Sequence, residues 1–280
     1  FRWVALLTGS KNMVKGFGFL LGAALLATIG FTGAVLGMAT VLAVISIAVL
    51  ILMPAGLPKG NTGAKFTEVF SMSPNVNWLS AARVVLFGAR DVWFVVGIPI
   101  YFYAILSDGT EEGNRMSFFL IGTFMAIWVI LYGLVQINAP RILNAKSRTT
   151  AELISVTRLW AWALTLVPGV LAVAALLANG PQHWLTLGLV LGLLLFGALF
   201  AINSSLHSFL ILLFTKAERV TRDVGFYYMA NAAGRLIGTL ASGLTYHIGG
   251  LPLMLAIAAG MVALSAMAVS FLVPEEETMG

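Results

Sequence analysis

Long apolar runs separated by short polar segments dominate the hydropathy pattern of this 280-residue chain. The apolar runs cover residues 16–53, 84–106, 116–138, 159–178, 184–214, 222–250 and 251–273. A helix needs about 20 residues to cross a membrane, because it rises about 1.5 Å per residue through a hydrocarbon core about 30 Å thick. The first run is nearly twice that length, so we predict that it folds back near Gly30. The pattern therefore predicts eight transmembrane helices in an all-α integral membrane protein.

One of these runs carries a polar interruption. Residues 184–214 are too long to cross without a tilt or a break, and the polar segment 203–207 (Asn-Ser-Ser-Leu-His) lies near their end. We predict that the helix breaks there.

Composition agrees with a membrane protein and removes several functional classes. The chain is 60% hydrophobic and only 10% charged, with a mean hydropathy of +0.97, whereas soluble domains have about 25% charged residues. It has no cysteine and only three scattered histidines, so no metal site is predicted. It also lacks a phosphate-binding glycine loop and a Ser/His/Asp arrangement. We therefore predict a protein that is not an enzyme and needs no cofactor.

The basic residues are unevenly divided between alternate loops. The loops on one predicted side hold thirteen of them, and those on the other side hold only Arg115. Cytoplasmic loops carry the excess of Lys and Arg, so the basic side is cytoplasmic, and both ends of the sequence lie there. This distribution explains the net charge of +5 without a nucleic-acid partner. The thirteen are Arg2, Lys11, Lys15, Lys59, Lys65, Arg83, Arg141, Lys146, Arg148, Arg158, Lys216, Arg219 and Arg222.

Three ionisable residues fall inside the predicted hydrocarbon layer: Arg90, Asp91 and Arg235. A charge at that depth is costly and marks a functional site or a structural ion pair. Arg90 and Asp91 are neighbours that point about 100° apart on a helix, so we expect at least one of them to reach another helix or a cavity rather than simply to neutralise the other. The candidate partners of these arginines are an anionic substrate or a protein carboxylate, with Asp91 and Asp223 as the leading carboxylates. If Arg235 pairs with Asp91, the pair is a helix clamp.

The predicted helix over 222–250 has two distinct faces. Small residues four apart, namely Ala230, Gly234, Gly238 and Ser242, form a smooth face for close helix contact. Tyr228 and Asn231 fall beside Arg235 at helical spacing and are candidate substrate contacts.

Two further polar residues are candidates on other helices. Gln136 shares a face with Trp128 and Tyr132, and it is either a substrate contact or a helix-end cap. His207 is a candidate proton relay, as is Asp91, although a lone buried histidine is more often structural.

The arrangement of loops and helices resembles the second part of a major facilitator superfamily transporter. In that resemblance residues 1–53 are the end of the N-terminal half with two transmembrane helices, 54–83 are the central cytoplasmic loop, and 84–280 are the C-terminal six-helix half. The chain would then be a fragment covering helices five to twelve of twelve. The glycine- and arginine-rich loop signature common in the superfamily is not evident after the fourth span.

Five segments resemble in amino-acid sequence the ArsJ family of bacterial organoarsenical efflux permeases; they are residues 6–26, 89–101, 128–143, 202–212 and 218–246. The resemblance implies a protein of the bacterial inner membrane that exports 1-arseno-3-phosphoglycerate, made from arsenate by a companion glyceraldehyde-3-phosphate dehydrogenase. Arg235 and Arg90 would grip this small anionic substrate, and Tyr228, Asn231 and Gln136 would orient it.

Two other functions remain open at this stage. A major facilitator transporter of another substrate, such as a drug or a sugar phosphate, fits every feature except the ArsJ-like wording. A non-transporting membrane scaffold predicts instead that Arg90 and Arg235 are bound to protein carboxylates and that no water-filled cavity exists.

Overall fold

The computed structural model describes residues 2–54, 71, 73–178 and 180–274, and its regular structure there is entirely helical. The helices are α1 (Arg2–Leu52), α2 (Pro74–Val92), α3 (Ile98–Leu106), α4 (Glu111–Ile142), α5 (Thr150–Ala178), α6 (His183–Leu213) and α7 (Val220–Ser270). A π-helical turn, Trp93–Gly97, joins α2 to α3, so that Pro74–Leu106 is one continuous helical stretch. Short 3₁₀ turns cover Ala145–Ser147 and Ala217–Arg219. Six helical stretches in this part of the chain are long and apolar enough to cross a membrane.

Each of the two 51-residue helices, α1 and α7, contains a break at glycine. The backbone of Gly30 has φ 71° and ψ 179°, at the place where the sequence predicted a fold-back. Gly250 has φ 61° and ψ −156°, directly before the predicted last helix. Positive φ values of this kind strain any residue with a Cβ, so glycine is what allows the chain to leave helical geometry at these two points.

Several helices begin earlier than their hydrophobic runs. α1 starts at Arg2 instead of residue 16, and α2 starts at Pro74 instead of residue 84. The Ser73 hydroxyl caps α2 by accepting a hydrogen bond from the backbone N–H of Val76 at 3.5 Å, and proline suits the first helical turn. Residues 74–83 are thus helical and not part of a loop. Most of the rest of the predicted central loop, residues 55–70 and 72, lies outside the described residues.

The predicted break at residues 203–207 is wrong, because α6 runs through them without interruption. The Asn203 side-chain amide donates to the carbonyls of Trp160 on α5 and Leu199 on α6, at 2.9 Å and 3.0 Å. These polar residues are buried against neighbouring helices, where they serve interhelical contact and do not end the helix.

The α2–α7 contact depends on glycine. A Cβ on Gly234 would lie 2.9 Å from the Cα of Val84, and a Cβ on Gly238 would lie 2.8 Å from the Cα of Gly88. Both distances are far below van der Waals contact. The predicted small-residue face of α7 is therefore confirmed as a packing face. It places Arg235 close to the middle of α2.

The α1–α4 contact is built in the same way from small residues. Gly9 and Gly16 of α1 are buried, and a Cβ on Gly133 of α4 would lie 2.7 Å from the carbonyl oxygen of Gly9. Beyond Gly30, by contrast, nearly all of α1 is exposed. The first half of α1 is thereby held against α4.

Candidate functional site

A cavity of about 420 Å³ lies among α1, α2, α4, α6 and α7, and we call it the central cavity. Six charged side chains of the described residues line it, five of them cationic and one anionic, for a formal surplus of four positive charges. They are Lys11, Lys15, Arg83, Arg90, Asp91 and Arg235. A concentration of positive charge inside a bundle of apolar helices is the arrangement expected for a site that receives an anion.

Asp91 binds both of the arginines predicted to hold substrate. Its Oδ2 accepts a hydrogen bond from Arg235 Nε at 2.9 Å, and its Oδ1 lies 2.5 Å from Arg90 Nη2. The Asp91 side chain is 1% exposed, whereas that of Arg235 is 52% exposed. We call these three residues the Asp91 cluster. Arg90 bends back to pair with its neighbour Asp91, and Asp91 also reaches Arg235 on α7, so the two do not simply neutralise each other, as the sequence predicted.

Arg83 is the third arginine of the central cavity, and its surroundings differ. It is 3% exposed, and its guanidinium carbon lies 3.9 Å from the ring centre of Phe87 and 4.7 Å from that of Tyr227. Its Nη1 donates to the hydroxyl of Ser204 at 3.2 Å and weakly to the Ser204 carbonyl at 3.4 Å. Its Nε has no hydrogen-bond partner, and no carboxylate of the described residues lies within 4.0 Å of it. We call Arg83, Phe87, Ser204 and Tyr227 the Arg83 cluster.

The first half of α1 supplies the opposite wall. Thr8, Lys11, Asn12 and Lys15 recur at the three- and four-residue spacing of one helix face, and all four line the central cavity. The sequence predicts a loop here, because the first apolar run begins only at residue 16. The same stretch is helical since its small residues, Ala5 and Gly9, are buried where α1 packs on α4.

Aromatic side chains form the apolar part of the lining. Trp128 and Tyr132 stack with their ring centres 5.6 Å apart, and Phe94 lies 4.7 Å from Trp128. The π-helical turn that carries Phe94 frees the backbone N–H of Gly97, which donates to the Ser242 hydroxyl of α7 at 3.1 Å. Such turns are often found next to functional sites.

Two of the predicted polar contacts, Tyr228 and Asn231, line the central cavity. Gln136 does not: it is fully buried beside the cavity, accepts a hydrogen bond from Asn12 at 2.7 Å and lies 3.5 Å from the Ser204 hydroxyl. It links α1, α4 and α6 and so positions lining residues rather than forming part of the lining itself.

His207 is also completely buried and outside the cavity lining. Neither of its ring nitrogens has a hydrogen-bond partner among the described residues. It lies close enough to Arg83 to feel its charge. The role of His207 and Asp91 as relays stays a prediction.

Sequence reasoning missed three cations of the cavity: Lys11, Lys15 and Arg83. All three had been placed in cytoplasmic loops, so their charge was counted toward topology and not toward the site. A signal was present, since Arg83, Phe87 and Arg90 follow the four- and three-residue spacing of one helix face.

A larger groove of about 870 Å³ lies between the start of α1 and the end of α4. Its two arginines, Arg2 and Arg141, are both exposed. The central cavity is smaller, but it combines buried charge with unfilled hydrogen-bond donors, so it is the candidate site.

The described residues contain no cluster of three or more His, Cys, Asp or Glu side chains that could hold a metal ion.

Comparison of the chain with protein families, with curated proteins and with solved structures finds no match. Fold and site therefore define a helical membrane protein with a cation-lined internal cavity.

Proposed function

We propose that this protein is a membrane transporter for a small solute with several anionic groups. More specifically, we propose an efflux permease of the major facilitator superfamily, in the bacterial inner membrane, that exports 1-arseno-3-phosphoglycerate. The observation that carries the proposal is the surplus of four positive charges in the central cavity. Among the described residues Asp91 is the only acid in that lining, so a multiply charged anion is the chemistry that best complements it.

Charge arithmetic supports a solute with more than one anionic group. A single phosphoryl group carries about −1.5 to −2 charges near neutral pH, which is below the surplus of four. A solute with both a phosphate and an arsenate group carries about twice that charge and matches this surplus more closely. Guanidinium groups bind such oxyanions through paired hydrogen bonds, and three of the five cations are arginines.

The breaks at Gly30 and Gly250 support eight membrane crossings. A straight 51-residue helix is more than twice as long as the hydrocarbon core, which is about 30 Å thick. We propose that α1 and α7 each turn back at these glycines and cross twice. With both ends on the basic, cytoplasmic side, the central cavity then lies within the membrane and can be opened to either side by movements of the helices.

Arsenate resistance tests the proposal in cells. The protein is expressed in an arsenate-sensitive bacterium, with and without a glyceraldehyde-3-phosphate dehydrogenase, and growth and arsenic accumulation are measured. We expect higher resistance and lower accumulation only when both proteins are present. Resistance that does not depend on the dehydrogenase, or no resistance from well-expressed protein, would contradict the organoarsenical substrate.

Uptake by proteoliposomes distinguishes a general anion transporter from an organoarsenical permease. Sugar-phosphate uptake without any effect on arsenate resistance would support an anion transporter whose substrate is a sugar phosphate. Because a cell-based failure can also come from a missing part of a longer protein, the uptake is measured in parallel with binding of the same solute.

The Asp91 cluster favours a second candidate, a membrane scaffold in which Arg90 and Arg235 are purely structural. Both arginines are bound to a protein carboxylate, as that hypothesis predicted. The same hypothesis also predicted no water-filled cavity, whereas both arginines line a cavity of about 420 Å³. Protein that folds, binds no anion and transports nothing would support the scaffold.

A further inference from the structure

The five cations of the central cavity are not equivalent. Arg90 and Arg235 are bound to Asp91, and this carboxylate must be displaced or shared before either arginine can bind a solute fully. Lys11 and Lys15 are exposed on α1. Arg83 is the cation that combines deep burial with the absence of a carboxylate partner among the described residues.

A buried guanidinium without a counter-ion carries a large desolvation cost. Contacts with the rings of Phe87 and Tyr227 offset part of it. The two hydrogen bonds to Ser204 use only Nη1, whereas a guanidinium has five N–H donors. The Nε donor has no partner within the described part of the chain, and an unmade hydrogen bond in a buried site is itself costly. The contacts of Arg83 with the described residues therefore satisfy neither its charge nor all of its hydrogen-bond donors.

Other polar atoms near Arg83 are also without partners. Both nitrogens of the completely buried His207 have no hydrogen-bond partner among the described residues, whereas the Tyr227 hydroxyl lies within hydrogen-bonding reach of Ser208. Both residues lie close enough to Arg83 to feel its charge. Of these three side chains only Arg83 lines the central cavity, so an acceptor that the described residues do not provide would enter at Arg83.

We infer that Arg83 is the principal oxyanion-binding residue of the central cavity, and that it receives the phosphate or arsenate group of the solute. This inference rests on the proposed function and names the residue within it that selects the substrate class. Paired hydrogen bonds from a guanidinium suit a tetrahedral oxyanion. Lys11 and Lys15 attract the remaining negative charge from the α1 side, and the Asp91 cluster serves mainly to hold α2 against α7.

Binding of two related anions tests the inference. 3-Phosphoglycerate and glycerate differ only in the phosphate group, and their affinities for the purified full chain are measured by calorimetry in lipid nanodiscs. The wild type should bind 3-phosphoglycerate more tightly than glycerate. Arg83→Met should weaken 3-phosphoglycerate binding about 10- to 100-fold, the range expected for charge-assisted hydrogen bonds, and should change glycerate binding much less.

Arg235→Met is the matched control, because it removes the same group from the same cavity. We expect it to lower the affinities for the two anions by similar, smaller factors. If Arg83→Met keeps the preference for the phosphorylated anion and Arg235→Met loses it, the inference is overturned while the proposed function stands. If the wild type binds neither anion, the proposed function fails and the inference fails with it.

Thermal unfolding without ligand distinguishes binding from structural support. Arg83→Met removes a charge that lacks a carboxylate partner, so its unfolding temperature should equal or exceed that of the wild type. A large loss of unfolding temperature would show that Arg83 is structural and would overturn the inference. Arg83→Lys keeps the charge but not the forked donors, and it should lose about tenfold in 3-phosphoglycerate affinity. Wild-type affinity in this variant would also contradict the inference.

Discussion

The Asp91 cluster and the Arg83 cluster each contain an arginine from the same face of α2, Arg90 and Arg83, which are seven residues apart. Arg90 is bound to a protein carboxylate, whereas Arg83 has no carboxylate partner among the described residues. Both Arg83 and Arg90 lie against the ring of Phe87, at 3.9 Å and 4.9 Å from its centre. Arg90 shares the Asp91 carboxylate with Arg235, whereas Arg83 has hydrogen bonds only to Ser204. The first group is complete within the protein. The second is incomplete until an anion arrives.

The difference shows that charge at membrane depth can have two purposes in one cavity. A balanced cluster holds helices together, because each charge removed leaves its partner buried and unpaired. An unbalanced arginine contributes little to holding the helices together but has donors available for a solute. Position and residue type are alike in the two cases, so the partners of each arginine decide its role.

Asp91→Asn should give the largest effect on stability, because it leaves two arginines without their shared carboxylate. Loss of one member of a buried ion pair costs about 3–5 kcal/mol, and the half-exposed Arg235 places this case near the lower end. We expect a fall of roughly 6–12 °C in the midpoint of thermal unfolding in detergent. Asp108→Asn, in the exposed loop before α4, is the control and should change the midpoint little. An equal fall in both variants would remove the distinction between the clusters.

Gly234→Val should separate the two helices that carry both clusters. A Cβ there would lie 2.9 Å from the Cα of Val84, so α2 and α7 must move apart. We expect a destabilisation of about 1–3 kcal/mol, and spectroscopic distances between labels on α2 and α7 should increase. Gly243→Val is the matched control, since a Cβ at Gly243 meets nothing within 4 Å. Similar behaviour of the two variants would contradict the proposed close contact.

Gln136→Leu tests whether Gln136 positions the residues that line the central cavity or binds the solute itself. The change removes the acceptor for Asn12 and the neighbour of Ser204, and it should cost about 1–3 kcal/mol in the free energy of unfolding. Anion affinity should fall much less than in Arg83→Met. Asn138→Leu is the control, because that exposed amide bonds only to a carbonyl of its own helix. Loss of anion binding with unchanged stability would restore Gln136 as a substrate contact.

Arg115→Ala should have the smallest effect and sets the baseline for arginine replacement. Its ion pair with Glu111 is exposed, with the two side chains 51% and 83% accessible. Pairs of this kind contribute at most a few tenths of a kcal/mol, so unfolding temperature and anion binding should both match the wild type. A marked loss of anion binding in Arg115→Ala would show that the arginine effects are not specific to the cavity.

Hydrophobic runs were sufficient to predict an all-helical membrane protein and the places where the long helices leave helical geometry. Gly30 was recognisable because the run around it is too long for one crossing, and Gly250 coincides with the boundary between the predicted spans 222–250 and 251–273. The helix starts were not predictable from hydropathy, because α1 and α2 extend into polar sequence that faces the cavity. Lys11, Lys15 and Arg83 were consequently not predicted as cavity residues. From hydropathy alone, a cation on a polar helix face cannot be distinguished from a cation in a loop.

The ion pairing of Asp91 was foreseen only as one of two options. Sequence spacing shows which residues share a helix face, but it does not show how α2 is rotated against α7. That rotation, set by Gly88, Gly234 and Gly238, determines that Asp91 meets Arg235. The eight crossings, the superfamily and the substrate stay predictions.

The location of a bound arsenate group is the most direct test of the central claim. Arsenic scatters anomalously, so crystals of the full chain grown with arsenate, or with an arsenate ester, would show its position without a model of the ligand. We predict an arsenic peak beside the Arg83 guanidinium, at the separation expected when an arsenate oxygen accepts a hydrogen bond from it, with Asp91 still bound to Arg90 and Arg235. A peak between Arg90 and Arg235, with Asp91 displaced and Arg83 unchanged, would contradict the account.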